Sequence, residues 1–265
     1  MTLEPSEFDF FNRVADAAAA VILPHFRKLD SVSNKLAAGF DPVTVADRAA
    51  ERAIRDLIER ELPDDGIVGE EYPDENRRAE RTWIIDPIDG TRAFISGLPV
   101  WGTLVGRLDG GKAAIGQLSQ GFTGEQFIGD TRSAWFCRDG KRHQIQVRET
   151  TSLDDAIMLT TTPALFSDIE RGAYDQLENN CRLARYGTDC YAYGMLAAGQ
   201  VDLVVESGLN VYDIAPLIPI IEGAGGVVTN WTGGRCDEGG QILAASTKQL
   251  HARAMDILHR AADQE

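Results

Sequence analysis

Cysteine is scarce in this chain of 265 residues. The four present, Cys137, Cys181, Cys190 and Cys236, make no CxxC pair and no zinc-like spacing. That density excludes a disulfide framework as the source of stability, and reduced thiols are expected. Histidine is as sparse: His25, His143, His251 and His259 show no H-E-x-x-H or similar spacing and read as surface or packing residues. Long apolar runs are missing too. None approaches the roughly 18–20 residues of a membrane span, and Met1 to Phe11 has no basic segment followed by an apolar one, so no signal peptide is expected. Positive charge is in deficit, with 26 Lys+Arg against 41 Asp+Glu and a formal net charge of −15. Nucleic acid and membrane are therefore not the expected partners, because phosphate backbones are bound by an excess of Lys and Arg. A small phosphorylated molecule would also be repelled unless cations supplied positive charge locally. The expectation is a soluble cytoplasmic protein, long enough to bury a substantial core.

The chain is organised around Trp83-Ile84-Ile85-Asp86-Pro87-Ile88-Asp89-Gly90-Thr91. Trp83 to Ile85 reads as a buried strand delivering carboxylates at its carboxyl end, with Pro87 ending it for want of an N–H. Gly90 permits a tight turn close to a ligand. Asp86 and Asp89 can then face one point, where like charges repel unless a proton or a cation lies between them. Hard oxygen ligands of this kind suit Mg²⁺.

Upstream, Glu7 to Leu29 has helical apolar spacing, with Pro24 kinking it or ending it early. Ser31 to Phe40 reads as a polar loop. Arg48 to Ile58 is a strong helix former, and Thr44 with Asp47 fits a helix start, as cap residues or as part of a site. Ile67 to Glu71 reads as a short strand that brings Glu70 towards Asp86 and Asp89. Beyond Thr91, the runs Val100–Leu108, Ala113–Leu118, Gln126–Gly129 and Ala134–Arg138, separated by Gly-containing turns, predict an antiparallel meander. Near Thr150 the pattern changes. Strands at Ala156–Thr160, Cys181–Tyr186, Val201–Glu206, Val227–Thr229 and Ile242–Ala245 alternate with helices at Asp168–Asn179, Asp189–Ala198, Val211–Glu222 and Lys248–Ala262. This predicts an α/β layered fold in two lobes, 1–150 and 151–265.

Gly69-Glu70-Glu71, then W-I-I-D-P-I-D-G-T from Trp83 to Thr91, then Tyr212-Asp213 with Glu222-Gly223-Ala224-Gly225-Gly226 resemble the inositol monophosphatase superfamily. The resemblance spans about Asp41 to Gly234. It implies an alternating αβαβα sandwich, a homodimer and a lithium-sensitive phosphatase working with two or three Mg²⁺ ions. By position, Glu70, Asp86 and the Ile88 carbonyl resemble ligands of a first metal; Asp86, Asp89 and Asp213 resemble those of a second. Glu70 would also serve a third. Asp47 and Thr91 resemble the pair that activates the attacking water, and the Gly90 and Thr91 N–H groups a phosphate cradle. The chemistry agrees: hydrolysing a phosphate monoester requires an activated water, neutralised phosphoryl oxygens and a stabilised leaving alkoxide.

Arg92 after D-G-T, together with Tyr186-Gly187-Thr188-Asp189-Cys190-Tyr191-Ala192-Tyr193, resembles the histidinol-phosphate phosphatase branch. L-Histidinol carries an ammonium and an imidazole, both suited to carboxylates, and Asp189 and Glu206 are the candidate acids. Trp101, Tyr191 and Tyr193 are candidates to pack on the imidazole or are core aromatics. Arg92 is a phosphate contact or a surface charge. The alternative substrate is an inositol or sugar phosphate, with Glu206 accepting from hydroxyls.

Overall fold

The computed structural model describes residues 3–28, 32–34 and 42–262. The expected loop from Ser31 to Phe40 therefore lies mostly outside the described residues, as do the side chain of Thr44 and the end of the first expected helix at Leu29. Within that stretch Val32–Asn34 (β1) is a strand paired antiparallel with Pro42–Thr44 (β2).

Helix α1 (Pro5–Ile22) buries Phe8, Phe11, Val14, Ala18 and Ile22, a stripe at helical spacing. It ends at Ile22, two residues before Pro24, which cannot continue an α-helix ladder. Helix α2 (Val45–Glu61) buries Ala46, Ala50, Ile54 and Ile58. Together they cover one face of a seven-stranded sheet that runs in order through β3 (Gly66–Gly69), β4 (Arg81–Asp89), β5 (Gly102–Asp109), β6 (Lys112–Gln120), β7 (Glu125–Asp130), β8 (Ser133–Arg138) and β9 (Lys141–Ile145). β3 and β4 are parallel, and the rest is an antiparallel meander. β9 has no apolar run to signal it. It follows from the Asp139-Gly140 turn, whose two positive φ angles, 52° and 70°, fold it back on β8.

The second sheet has five strands, β10 (Ile157–Thr160), β11 (Leu183–Tyr186), β12 (Leu203–Leu209), β13 (Val227–Asn230) and β14 (Gly240–Ala245), in the order β11-β10-β12-β14-β13. Between the sheets lie α5 (Tyr191–Ala197), α6 (Val211–Ile214) and α7 (Ile218–Gly223), and α4 (Asp168–Glu178) and α8 (Lys248–Leu258) cover the far face. The layers alternate αβαβα, with three apolar clusters: one beneath α1 and α2, one beneath α4 and α8, and one around the middle layer that reaches both sheets. Strand parity sorts the side chains. Trp83 and Ile85 of β4 face α1 and α2 while Ile84 faces the middle layer; Leu203 and Val205 of β12 face α4 and α8 while Val204 faces inward. Each fully buried branched side chain contributes roughly 1.5–3 kcal/mol.

The helix expected over Val211 to Glu222 is two helices broken around Pro216. The break lets backbone lie directly on the first sheet, where Gly106, Gly116 and Gly129 stand side by side on β5, β6 and β7. A Cβ on Gly116 would stand 1.8 Å from the Pro216 carbonyl oxygen, and one on Gly129 would stand 2.6 Å from Ile220 Cα. A glycine row thus seats the middle layer, α6 included.

Candidate metal centre and acidic pocket

β4 does not stop at Pro87. It continues to Asp89 through a bulge: Asp86 pairs with Leu104 and Asp89 with Gly102, so three steps on β4 match two on β5. Pro87 is tolerated because β3 has run out on that side, its last pair being Gly69 with Ile85. The Pro87 carbonyl accepts from Thr103 Oγ1 at 2.8 Å. The extra residue has a consequence for side-chain direction. In a regular strand Asp89 would point to the face opposite Asp86; the bulge turns both to the middle layer.

Asp213 meets them there from α6. Its carboxylate caps its own helix, accepting from Asn210 N at 2.7 Å and Asn210 Nδ2 at 3.3 Å. Carboxylate oxygens of Asp86, Asp89 and Asp213 all lie within 4.8 Å of one another. Asp86 Oδ1 is buried without a hydrogen-bond partner. Burial pushes the Asp86 carboxyl well up, and the charges of Glu70, Asp89, Asp213 and Asp47 add to it. Asp89 is raised well above its ordinary value by burial and by Asp213 and Asp189, against a 2.6 Å hydrogen bond from Cys190 N. Burial also raises Asp213. Five acids from four parts of the chain thus converge, Glu70 following β3 and Asp47 in the first turn of α2.

The loop that carries Glu70 is held by a buried ion pair. Arg55 Nε and Glu51 Oε1 are 2.8 Å apart on α2, both side chains fully buried. Glu51 Oε2 accepts the Glu71 N–H at 2.7 Å. A Cβ on Gly69 would sit 2.1 Å from Glu51 Oε1, so the glycine makes room for that carboxylate. Gly90, with φ 81°, opens α3 (Thr91–Ile95) and lies against Asp189. Thr91 Oγ1 donates to the Ile88 carbonyl at 3.2 Å, and Arg92 is exposed one residue on.

Beside the carboxylates is a narrow pocket of about 20 Å³, lined among others by Asp89, Asp189, Glu206 and Asp213. Glu206 shares Val204's inward parity; it accepts from Thr161 N at 2.6 Å and Thr160 Oγ1 at 3.3 Å, and burial pushes its carboxyl up to about 7. Asp189 precedes α5 in a left-handed conformation, φ 42°, and burial raises it to about 6 against the opposing charge of Arg92. Tyr193 lines this pocket. Trp101 and Tyr191 do not: Trp101 is fully buried against Phe94 and Phe26, and Tyr191 Oη donates to Glu125 at 2.5 Å. The sequence reading missed the supporting groups Cys190, Asn210, Thr160, Thr161 and Glu51. Thr160 ends a predicted strand and Thr161 follows it, which is the available signal; Cys190 has none.

All-oxygen, acidic and partly unsatisfied, the cluster has the donor set of a divalent cation site. Among the described residues no helix is long and apolar enough to cross a membrane. The sequence model of the inositol monophosphatase family matches residues 4–263. The bifunctional phosphatase IMPL2, chloroplastic, of Arabidopsis thaliana is 38% identical, covering 97% of this chain and 77% of the relative. A histidinol-phosphatase of Streptomyces coelicolor is 32% identical over 93% of this chain and 94% of its own. The solved structure of an inositol monophosphatase from Zymomonas mobilis superposes with a TM-score of 0.84 at 39% identity, over 96% and 99% of the two chains. This αβαβα chain, with its acids gathered at one strand end, belongs to the inositol monophosphatase family of phosphatases.

Proposed function

We propose that the chain is an Mg²⁺-dependent phosphate monoester hydrolase whose substrate is L-histidinol phosphate. The observation that carries the reading is the continuity of the three-carboxylate cluster with a pocket holding two further acids, the half-buried Asp189 and the buried Glu206. Glu70, Asp86 and the Ile88 carbonyl would hold one ion and Asp86, Asp89 and Asp213 a second, with Glu70 also available to a third. Bound Mg²⁺ supplies positive charge to the phosphoryl and leaving oxygens and eases deprotonation of a water. Asp47, buried beside the cluster, takes the water's proton. Thr91 orients that water: its hydroxyl proton is committed to the Ile88 carbonyl, so its oxygen lone pairs are left to accept. The N–H groups of Gly90 and Thr91 hold the phosphoryl oxygens, and Arg92 adds positive charge at the rim. Asp189 and Glu206 receive the cationic groups of the alcohol. No covalent enzyme intermediate is required.

In the proposed division, lobe 1–150 carries all the metal ligands but Asp213, which comes from lobe 151–265 with the substrate acids. A cytoplasmic homodimer belongs to the same proposal. The likeness to the Zymomonas inositol monophosphatase favours a second reading, an inositol or sugar phosphate with Glu206 accepting from hydroxyls.

Phosphate release with Mg²⁺, comparing L-histidinol phosphate and inositol 1-phosphate side by side, separates the two. The first reading expects a large preference for histidinol phosphate that Asp189→Asn and Glu206→Gln erode selectively. Preference for the inositol ester, or equal losses on both substrates, overturns it. Asp86→Asn should abolish Mg²⁺-dependent turnover; retained activity would remove the site assignment.

A further inference from the structure

The acidic pocket contains a hydroxyl with nothing to bond to. Tyr193 on α5 is 2% exposed, and its Oη is buried without a hydrogen-bond partner. The other polar groups of the wall are committed: the Cys190 N–H to Asp89, the Thr161 N–H to Glu206. Along α5 the neighbours Ala192, Leu196 and Ala197 are apolar and fully buried, so phenylalanine would suit the packing of this helix. Burying a hydroxyl unpaired is unfavourable, and a tyrosine in this position points to a partner that arrives from outside. Glu206, Asp89 and Asp213 are all near enough for their charges to act on the phenol. The free volume, about 20 Å³, suits one water-sized group. An ammonium has that size, whereas an imidazole ring does not.

We infer that Tyr193 is a specificity-determining residue, its hydroxyl oxygen accepting a hydrogen bond from an ammonium group on the alcohol part of the substrate while Glu206 and Asp189 balance the charge. The inference rests on the reading of the chain as a phosphatase of an amine-bearing ester and adds the atom that reads the amine. A phenol keeps two acceptor lone pairs while neutral, so it can serve an N⁺–H donor without adding a further charge to the acidic pocket.

Tyr193→Phe removes that oxygen and little else. The test measures KM and kcat of wild type and variant on L-histidinol phosphate, on its analogue lacking the amino group, and on inositol 1-phosphate. In wild type the deaminated analogue should show a KM about tenfold higher than histidinol phosphate, the size expected for a hydrogen bond to a charged group. In Tyr193→Phe the KM for histidinol phosphate should rise several-fold towards it, Glu206 and Asp189 still holding the ammonium, with kcat little changed and both amine-free esters unaffected. Equal changes on all three esters would mean a structural role and overturn the inference, as would no change on any. If wild type prefers histidinol phosphate over inositol phosphate yet handles the deaminated analogue as well, the inference falls and the substrate reading stands. If wild type prefers inositol phosphate, both fall. The wild-type comparison keeps the inference exposed even should the variant fold poorly.

Discussion

Glu206 sits in the middle of β12, nearly fully buried, with two threonines donating to it. A carboxyl raised from its ordinary 4.5 to about 7 binds its proton more tightly in the folded protein than in the unfolded chain. Below about pH 4.5 both forms are protonated and the group adds no pH dependence. As pH rises from there through about 7, the folded protein must carry a buried charge that the unfolded chain carries freely, so stability falls across this window and then levels. In melts of metal-free protein, the Tm of wild type relative to Glu206→Gln should therefore decline between those limits and stay level above them. A flat difference would show Glu206 titrating as an exposed acid does, and one that rises with pH would show its charge stabilised by the fold; either overturns the expectation. The same burial makes the residue a receptor for cations, because a positive partner relieves the charge that burial penalises.

Elements, more than residues, decide whether the acids meet. Asp86, Asp89 and the Gly90 turn are legible in the sequence because Asp, Pro and Gly stand next to one another and report a strand end. The bulge is not legible: it exists only in the pairing of β4 with β5, and without it Asp89 would face α1 and α2. Nor is the break at Pro216, since the glycines that receive it are 10 and 13 residues apart along the chain and become a row only when three strands align. Gly116→Ala drives a methyl group into the Pro216 carbonyl and should destabilise the fold by about 3 kcal/mol, read by urea unfolding. A loss below 1 kcal/mol would mean that the middle layer slides freely on the sheet. The pair on α2 makes a second case. Asp47, Glu51 and Arg55 recur every four residues, which composition presents as a solvated face; all three are buried. Glu51→Gln leaves the buried Arg55 charge with only the half-exposed Glu75, 3.0 Å away, as an acidic partner and should cost about 3 kcal/mol, whereas adding Arg55→Met should restore much of it. If the double variant is no better than the single, the carboxylate matters for the loop after β3 and not for charge balance.

At the scale of the molecule, a chain with a net charge of −15 brings five acids together, four of them acting on the buried Asp86. Asp86 and Asp89 belong to the first sheet and Asp213 to the layer between the sheets, so a cation held by all three ties together parts that approach only when the fold is complete. Binding of this kind stabilises the folded form by mass action, about 2.7 kcal/mol at a hundred times the dissociation constant, and should raise Tm by several degrees. Any salt also screens surface repulsion in so acidic a protein, so the melts compare Mg²⁺ with K⁺ at equal ionic strength. Asp86→Asn separates the two effects. Without metal it removes one buried like charge, and its Tm should equal or exceed that of wild type. With Mg²⁺ it should gain no more than K⁺ provides, while wild type gains well beyond it. A variant that loses stability without metal and keeps the full Mg²⁺ gain would place the cation elsewhere, and the three carboxylates would then be partners of one another through shared protons.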